Sequence, residues 1–154
     1  MRVLLMDGEM VGRWLEMRLA LWSDTPAAVH RDEIDSCLAA AERRAAFLCE
    51  DDAGVAAGFA EVSLRTDYVN GCETSPVAFL EGIYVLPRYR RHGVARALIT
   101  AAERWATSHG CRELASDTDV DNLESHGLHM ALGFEETERV VYFRKELSGA
   151  SADN

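Results

Sequence analysis

The sequence predicts an α/β fold: a single domain with a mixed, mostly antiparallel sheet flanked by helices. Two early strand patterns, 46–50 and 55–65, are joined by an Asp-Asp-Ala-Gly turn that is typical of an antiparallel hairpin. Further along, an apolar run over 79–86 stops at Pro87, and a helical apolar pattern starts at Gly93. A strand that leads into a helix and then another strand indicates a parallel crossover.

The element order that follows is β-α-α-β-β-β-α-β-α-β. The predicted strands are 2–6, 46–50, 55–65, 79–86, 112–116 and 134–145. The predicted helices are 11–21, 32–44, a third that runs from Gly93 to just before Gly110, and 123–132. We expect the second helix to begin at acidic residues, which suit a helix N-terminus. The domain is expected to occupy 1–147, with 148–154 as a disordered tail.

Composition narrows the class of protein. The 154 residues are 48% hydrophobic and 27% charged, which is normal for one globular domain. The formal net charge of −10 argues against general nucleic-acid binding and is compatible with a cationic substrate, although acidity also serves solubility alone.

The cysteines and the hydropathy pattern address the compartment. The four cysteines form neither a C-x-x-C pair nor a zinc-type spacing with histidine, so we expect free thiols in a reducing compartment. No stretch approaches the length of a membrane span, and the first residues are too weakly apolar for a signal peptide. The expected location is the cytoplasm, with no membrane partner.

The stretch after the central strand is the most informative part of the chain. A basic loop over 88–92 leads into Gly93-Val94-Ala95, which opens an amphipathic helix. Free N–H groups and the positive end of the helix dipole can bind phosphate there, and the small residues let a diphosphate approach the backbone. The alternative is an ordinary strand-to-helix turn in which glycine serves tight packing.

The pattern Arg90-x-x-Gly93-x-Ala95 resembles the acetyl-CoA loop of the GNAT acetyltransferase superfamily. Other segments resemble one subgroup, the bacterial aminoglycoside 6'-N-acetyltransferases. These segments are RLALWSDTP, DYVNGCETSPVAFLEGIYVLP, CRELASDT and HMALGFEETERVVYFRK, which together extend over most of the chain. The element order is also the one expected of the GNAT fold.

The resemblance implies transfer of an acetyl group from acetyl-CoA to a primary amine of an aminoglycoside, by direct attack within a ternary complex and without a covalent acyl-enzyme. It implies antibiotic resistance and a homodimer, for which the terminal VVYFRK strand offers an edge. The residues expected to bind the cofactor are Ile83, Val85, Arg90, Arg91, His92, Gly93, Val94, Ala95, Arg96, Asn122 and His129.

Glu81 is the candidate proton acceptor, because the substrate amine must lose a proton before it attacks. It lies within an apolar strand, where a carboxylate is costly unless it has a partner or a task. The alternatives are a solvent-facing residue or a structural pair with an arginine.

Further candidates for substrate contact follow the resemblance. Asp117, also a candidate catalytic residue, and Asp119 occupy the turn after the 112–116 strand, where turn formation alone would also explain aspartate. The irregular segment 66–76 contributes Asp67, Tyr68 and Glu73. Trp22 either stacks on a sugar ring or fills the core.

His129 occupies a position where many GNAT proteins have a tyrosine that protonates the departing thiolate. It is a candidate acid, although packing or a contact with the coenzyme arm would explain it equally. His126 lies on a neighbouring turn of the same helix, but no further metal-ligand motif accompanies the pair, so no metal is expected. Other hypotheses are acetylation of a polyamine, another amino sugar or a protein amine, and a non-catalytic acetyl-CoA-binding module.

Overall fold

A computed structural model of the chain describes residues 1–149. Its sheet has five strands in spatial order β1-β2-β3-β4-β5. They are β1 (Arg2–Leu5), β2 (Arg44–Glu50), β3 (Ala56–Arg65), β4 (Val77–Val85) and β5 (Leu114–Ser116). The first four pair antiparallel, and β5 pairs parallel to β4. The predicted mixed, mostly antiparallel sheet is confirmed.

Helices cover both faces of this sheet. They are α1 (Val11–Leu21), α2 (Ala27–Ala39), α3 (Val94–Ser108) and α4 (Leu123–Ala131). On one face, Trp14 of α1 and Ile34 of α2 pack with Phe59 of β3. On the other face, Leu98 of α3 packs with Val62. None of these helices is long and apolar enough to cross a membrane.

The second helix begins and ends earlier in the sequence than the predicted range of 32–44. It starts at Ala27 rather than at the acidic residues, because Pro26 has extended backbone angles and forms its N-terminal boundary. Asp32 and Asp35 instead lie along its exposed side. Arg44, which was expected to end this helix, is the first residue of β2.

The predicted last strand, 134–145, is absent from the described part of the chain. Residues 135–147 carry neither strand nor helix, and all of them are exposed. The composition favours a strand, as Val141, Tyr142 and Phe143 indicate, but a strand also needs a neighbour with free backbone groups. The chain does not fold this segment back onto its own sheet.

Candidate active site

A β-bulge in β4 determines where Glu81 lies. Glu61 of β3 is paired with Gly82, and the next residue, Val62, is paired with Leu80. Glu81 is therefore the extra residue on the bulged strand. A bulge interrupts the regular alternation of side chains and redirects the extra residue. Both Glu81 and Gly82 consequently contact groups on the sheet face that carries α1.

The Glu81 carboxylate has two partners on β3. Ser63 donates its hydroxyl to Oε1 at 2.5 Å, and Arg65 Nη2 lies 3.0 and 3.2 Å from the two carboxylate oxygens. The Arg65 guanidinium also lies 3.5 Å above the ring of Phe79. The Glu81 side chain remains 37% exposed. The alternative of a pair with an arginine is thus present, while the carboxylate stays accessible.

Glu81 and Asp117 both follow the last residue pair of the parallel β4–β5 ladder. Leu80 of β4 is paired with Ser116 of β5, the last residue pair of that ladder. Glu81 and Asp117 are the next residues on each strand, and adjacent strands are about 5 Å apart. Asp117 and Asp119 are both exposed. The structure therefore groups two of the predicted catalytic residues where the strands separate.

His129 connects α4 to the same strand end. Its Nε2 lies 2.7 Å from the Ser116 hydroxyl, and its Nδ1 lies 2.7 Å from the Ser125 carbonyl. Because a carbonyl only accepts, Nδ1 carries a proton and donates it. In the neutral ring Nε2 then accepts from Ser116. His126 has a different partner, since its Nε2 lies 3.0 Å from the Asp119 carbonyl.

The loop before α3 presents unbonded backbone donors. The N–H groups of Val94, Ala95 and Arg96 make no hydrogen bond within residues 1–149. Gly93 precedes them with a φ of +80°, and a side chain at this position would meet no atom within 4 Å. Three unbonded donors at the positive end of a 15-residue helix are an arrangement that suits an anion, and we call these groups the cradle.

The basic side chains around this loop have different partners. Arg90 donates from Nε to the Val85 carbonyl at 3.2 Å and lies 3.6 Å from Glu124. Arg96 donates to the Ala131 carbonyl at 3.1 Å, which links α3 to α4. Arg91 and His92 are exposed. Asn122 accepts from the Ser125 N–H and so caps α4.

β4 extends beyond the end of β5, and we call the gap beside its residues 81–85 the opening between β4 and β5. β5 pairs only with residues 78–80 of β4. Ile83 and Val85 therefore have no strand neighbour on their β5 side in the described chain. A groove of about 620 Å³ begins at Gly93 of the same loop and runs between α3 and Val3 of β1, but neither Glu81 nor Asp117 lines it.

The segment 66–76, which we call the wall segment, packs against the first residues of β4 and against β5. Val69 is buried against Val77 and Phe79. Glu113 fixes the far end of the segment, since its Oε1 accepts from the N–H groups of Glu73 and Thr74 at 3.0 and 2.8 Å. Tyr68 is 77% exposed, and Glu73 and Asp67 are exposed as well.

No cysteine of the described chain has the character of a nucleophile. Burial raises the pKa of the Cys37 thiol to about 11. Burial also raises the pKa values of Cys49, Cys72 and Cys111. A thiol attacks as its thiolate, so a raised pKa makes it inert.

Comparison with known proteins decides the family. Residues 11–134 match the acetyltransferase (GNAT) family. The aminoglycoside N(6')-acetyltransferase type 1 of Serratia marcescens is 51% identical over 145 residues, which cover 94% of this chain and 99% of that protein. The chain belongs to the GNAT acetyltransferases, among the aminoglycoside 6'-N-acetyltransferases.

Two solved GNAT structures resemble the whole fold. One is AAC(6')-Iy in complex with the bisubstrate analogue CoA-S-monomethyl-acetylneamine, with a TM-score of 0.90, 48% identity and coverage of 95% of this chain and 98% of that one. The other is AAC(6')-Ig from Acinetobacter haemolyticus, with a TM-score of 0.90, 47% identity and coverage of 96% and 99%.

Several residues of this GNAT site were not predicted from the sequence. Ser63 and Arg65 bind Glu81 from a neighbouring strand, and Glu113 holds the 66–76 segment from a distance of 39 residues along the chain. Arg18 did carry a usable signal, because it recurs at helical spacing among the apolar residues of α1. A charged residue on a buried helix face indicates a buried partner.

Proposed function

We propose that this chain is an aminoglycoside 6'-N-acetyltransferase that moves the acetyl group of acetyl-CoA to a primary amine of an aminoglycoside antibiotic. The observation that carries the proposal is 51% identity over 94% of the chain to an enzyme of that name. The accessible Glu81 and Asp117 at one end of the β4–β5 opening, with an anion cradle at the other, agree with it.

The cradle and the opening fit acetyl-CoA. The N–H groups of Val94, Ala95 and Arg96 would bind its diphosphate, and Gly93 leaves room for a close approach. Arg91 and His92 add positive or polar groups nearby. The unpaired edge offers the backbone groups of Ile83 and the N–H of Val85 to the amide-containing arm, while the Val85 carbonyl already accepts from Arg90. When bound, acetyl-CoA supplies a thioester that an amine can attack.

We propose Glu81 as the group that receives the proton that the amine must lose. Its carboxylate is oriented by Ser63 and Arg65 and still exposed, so it can accept a proton directly or through water. Holding the amine about 3 Å from the acyl carbon supplies much of the rate enhancement in such a transfer. Direct attack agrees with the raised pKa values of the four cysteines.

Carboxylates around the opening suit a polycationic drug. Glu81 and Asp117 each follow the last pair of the β4–β5 ladder, and Asp119 follows in the same turn as Asp117. Glu73 and Asp67 belong to the wall segment. Charge-assisted hydrogen bonds from drug ammonium groups to such carboxylates are stronger than neutral ones. The net charge of −10 adds a long-range attraction.

The hydrogen bonds of His129 favour an orienting role over the role of acid that the resemblance implies. Both ring nitrogens have partners in the chain, so donating a proton to a thiolate would require Nε2 to leave the Ser116 hydroxyl and the ring to become protonated. We propose His129 as a residue that orients Ser116 and the β5 end.

Thiol release in the presence of acetyl-CoA tests the function. Purified protein is incubated with kanamycin, spermidine or an N-acetylated lysine peptide, and the free thiol of coenzyme A is followed over time. Rapid release with kanamycin alone is expected, with the acetyl group located on the 6'-amine by mass spectrometry. Release with only spermidine or only the peptide would identify another amine as the substrate. Absence of release with all three would indicate a module that binds acetyl-CoA without catalysis.

We further propose that two copies form a homodimer through the C-terminal arm, defined as residues 135–147. Val141, Tyr142 and Phe143 of the arm are 76%, 82% and 93% exposed. A strand-forming apolar segment without a partner favours association, and the outer edge of β5 has no strand beside it in the described chain. Pairing between copies would bury these side chains.

The cytoplasm is the proposed compartment. Acetyl-CoA, the expected cosubstrate, is a cytoplasmic metabolite of bacteria. All four cysteines are free thiols, as is usual in a reducing compartment.

A further inference from the structure

A buried polar cluster lies beneath the proposed aminoglycoside site. We call it the Arg18 cluster, and it consists of the buried residues Arg18, His30 and Glu61 together with Glu33, whose side chain is 53% exposed. Arg18 is 5% exposed, His30 1% and Glu61 9%. These residues come from α1, α2 and β3, and the family-type chemistry described above uses none of them. A buried charged group is stable only when its hydrogen bonds are satisfied, so the orientation of each side chain is tightly constrained.

The Arg18 guanidinium determines the arrangement. Its Nη1 donates to both oxygens of Glu61, at 2.6 and 2.7 Å, and its Nη2 bonds to Glu33. Its Nε lies 3.1 Å from Nδ1 of His30. Trp14 donates from its indole N–H to Oε1 of Glu61 at 2.6 Å. A planar guanidinium with three bonded nitrogens cannot rotate without breaking several contacts.

His30 passes this constraint to Trp22. Because a guanidinium can only donate, Nδ1 of His30 must accept, and the ring proton must be on Nε2. That nitrogen lies 3.1 Å from the Trp22 carbonyl, to which it donates. The backbone of Trp22 is thus fixed on its other side as well, since its N–H donates to the Arg18 carbonyl at 2.8 Å.

The indole ring of Trp22 is held by the same residues. The Arg18 guanidinium carbon lies 4.7 Å from the ring centre, and the His30 ring stacks on it at 6.3 Å with an angle of 25°. Phe59 meets the ring edge-on at 6.2 Å. Cation–π and aromatic contacts of this kind favour one ring orientation.

The far edge of the indole ring reaches the bulge of β4. A Cβ on Gly82 would lie 2.5 Å from the Trp22 ring, so only glycine allows this approach. Gly82 is the neighbour of Glu81 and the pairing partner of Glu61. The indole ring therefore rests against the backbone that carries the proposed proton acceptor.

We propose that Arg18 and His30 are positioning residues, which hold the Trp22 indole ring as a rigid wall of the aminoglycoside site. The inference rests on the proposed function, in which Trp22 contacts the drug. A rigid aromatic wall binds a sugar ring without first losing side-chain freedom. Arg18 and His30 act through Trp22 and touch neither substrate.

His30→Phe tests this role, because phenylalanine keeps a ring beneath the indole but removes both hydrogen bonds. The KM and Kd for kanamycin should rise about two- to tenfold, the equivalent of one lost hydrogen bond. The Kd for acetyl-CoA and kcat should stay within twofold. His109→Phe is the matched control, since His109 packs on Trp105 at 4.2 Å and is remote from the site.

A double-mutant cycle with Trp22→Ala separates positioning from general stability. If His30 acts through Trp22, His30→Phe should change the kanamycin Kd less than twofold once the indole is gone. An equal effect in both backgrounds, or an unchanged Kd together with a lowered melting temperature, would show that the cluster is purely structural. Should His30→Phe fail to fold, His30→Gln, which lacks the stacking ring, completes the same cycle.

The indole N–H signals in NMR spectra give a readout that does not require activity. In His30→Phe the Trp22 signal should shift or broaden, and the Trp105 signal should stay in place. An unchanged Trp22 signal would overturn the positioning role even in an active enzyme. Kanamycin acetylation by the wild-type protein is measured separately, so a failed proposed function would be recognised independently of this signal.

Discussion

At the scale of single residues, Glu81 combines accessibility with a fixed orientation. Ser63 and Arg65 hold its carboxylate from β3, and more than a third of the side chain faces solvent. In the proposed function, a substrate ammonium group shares this carboxylate with Arg65 or displaces it. Arg65 is therefore a cation that competes with the drug for Glu81. This competition affects both the affinity for the drug and the proton transfer.

Glu81→Gln should slow the transfer step. The amide keeps the size of the side chain but cannot accept a proton, so the pre-steady-state transfer rate at neutral pH should fall by about 10²–10⁴-fold. The loss should shrink at higher pH, where more of the amine is already neutral. Arg65→Met is the control for the broken ion pair, and it should retain a rate within a few-fold of wild type. A wild-type rate in the Gln variant would leave solvent as the proton acceptor.

Asp117→Asn should affect the drug and spare the cofactor. Asp117 is exposed, so its attraction for an ammonium group is screened, and we expect the aminoglycoside KM to rise by up to about tenfold. The acetyl-CoA Kd should stay unchanged in isothermal titration. Added salt should weaken drug binding more in the wild type than in the variant, and equal salt sensitivity would contradict a direct charge contact.

At the scale of elements, the α3 N-terminus and the 66–76 segment have separate tasks. The first presents unbonded N–H groups to the opening between β4 and β5. The second forms one wall and is held in place by Glu113 of the turn before β5. Because the contacts of the two elements do not overlap, changes in one should leave the other intact.

Gly93→Asp should abolish tight acetyl-CoA binding. The side chain would have to adopt a φ of +80° and would place a negative charge at the phosphate cradle. Gly93→Asn is the matched control, since it carries the same backbone strain without the charge. Tight acetyl-CoA binding by a folded Asp variant would show that the diphosphate lies elsewhere.

Glu113→Gln should make stability less dependent on pH. The pKa of Glu113 is lowered from 4.5, mainly by the Thr74 hydroxyl and further by the N–H groups of Glu73 and Thr74. A lowered folded-state pKa stabilises the protein above the unfolded value, and this contribution is lost as pH falls through the folded-state pKa. Urea midpoints should therefore differ between wild type and variant at pH 7 and converge below about pH 4. Glu103→Gln, on the exposed side of α3, should show no such convergence.

The elements differ in how far the sequence could predict them. The hairpin, the bulged strand and α3 were predictable because turn residues and apolar spacing are local signals. The start of α2 was missed because Pro26 outweighs the acidic residues that follow. Glu81 was predictable as a carboxylate in an apolar strand, whereas its partners Ser63 and Arg65 depend on a register that no local pattern specifies.

At the scale of the whole molecule, the C-terminal arm is the feature that a single chain leaves unexplained. Its sequence predicts a strand, and the fold provides no partner for it within the described residues. If the arm pairs with a second chain, as we propose, its strand forms only in the dimer and is absent from a single copy. The arm, our proposed dimer interface, also lies next to the wall segment, since Thr137 of the arm lies against Gly71.

Phe143→Asp should convert the proposed dimer to a monomer. Phe143 is 93% exposed, so the change should not disturb the fold of one chain, while a carboxylate is unfavourable in an apolar interface. Sedimentation velocity should show the loss of the dimer, with an unchanged far-UV circular dichroism spectrum. Val29→Asp, at another exposed apolar position, should leave the dimer intact. A monomeric wild type would exclude the arm-mediated assembly.

The β4 bulge makes the site depend on the number of residues as well as on their identity. Glu81 is the one residue that lacks a counterpart between the pairs Glu61–Gly82 and Val62–Leu80. Shortening β4 by one residue there would restore the regular alternation and bring the neighbouring residues into an unbulged ladder. Variants with new drug preferences should therefore arise by substitution, and length changes in this strand should be rare among active enzymes.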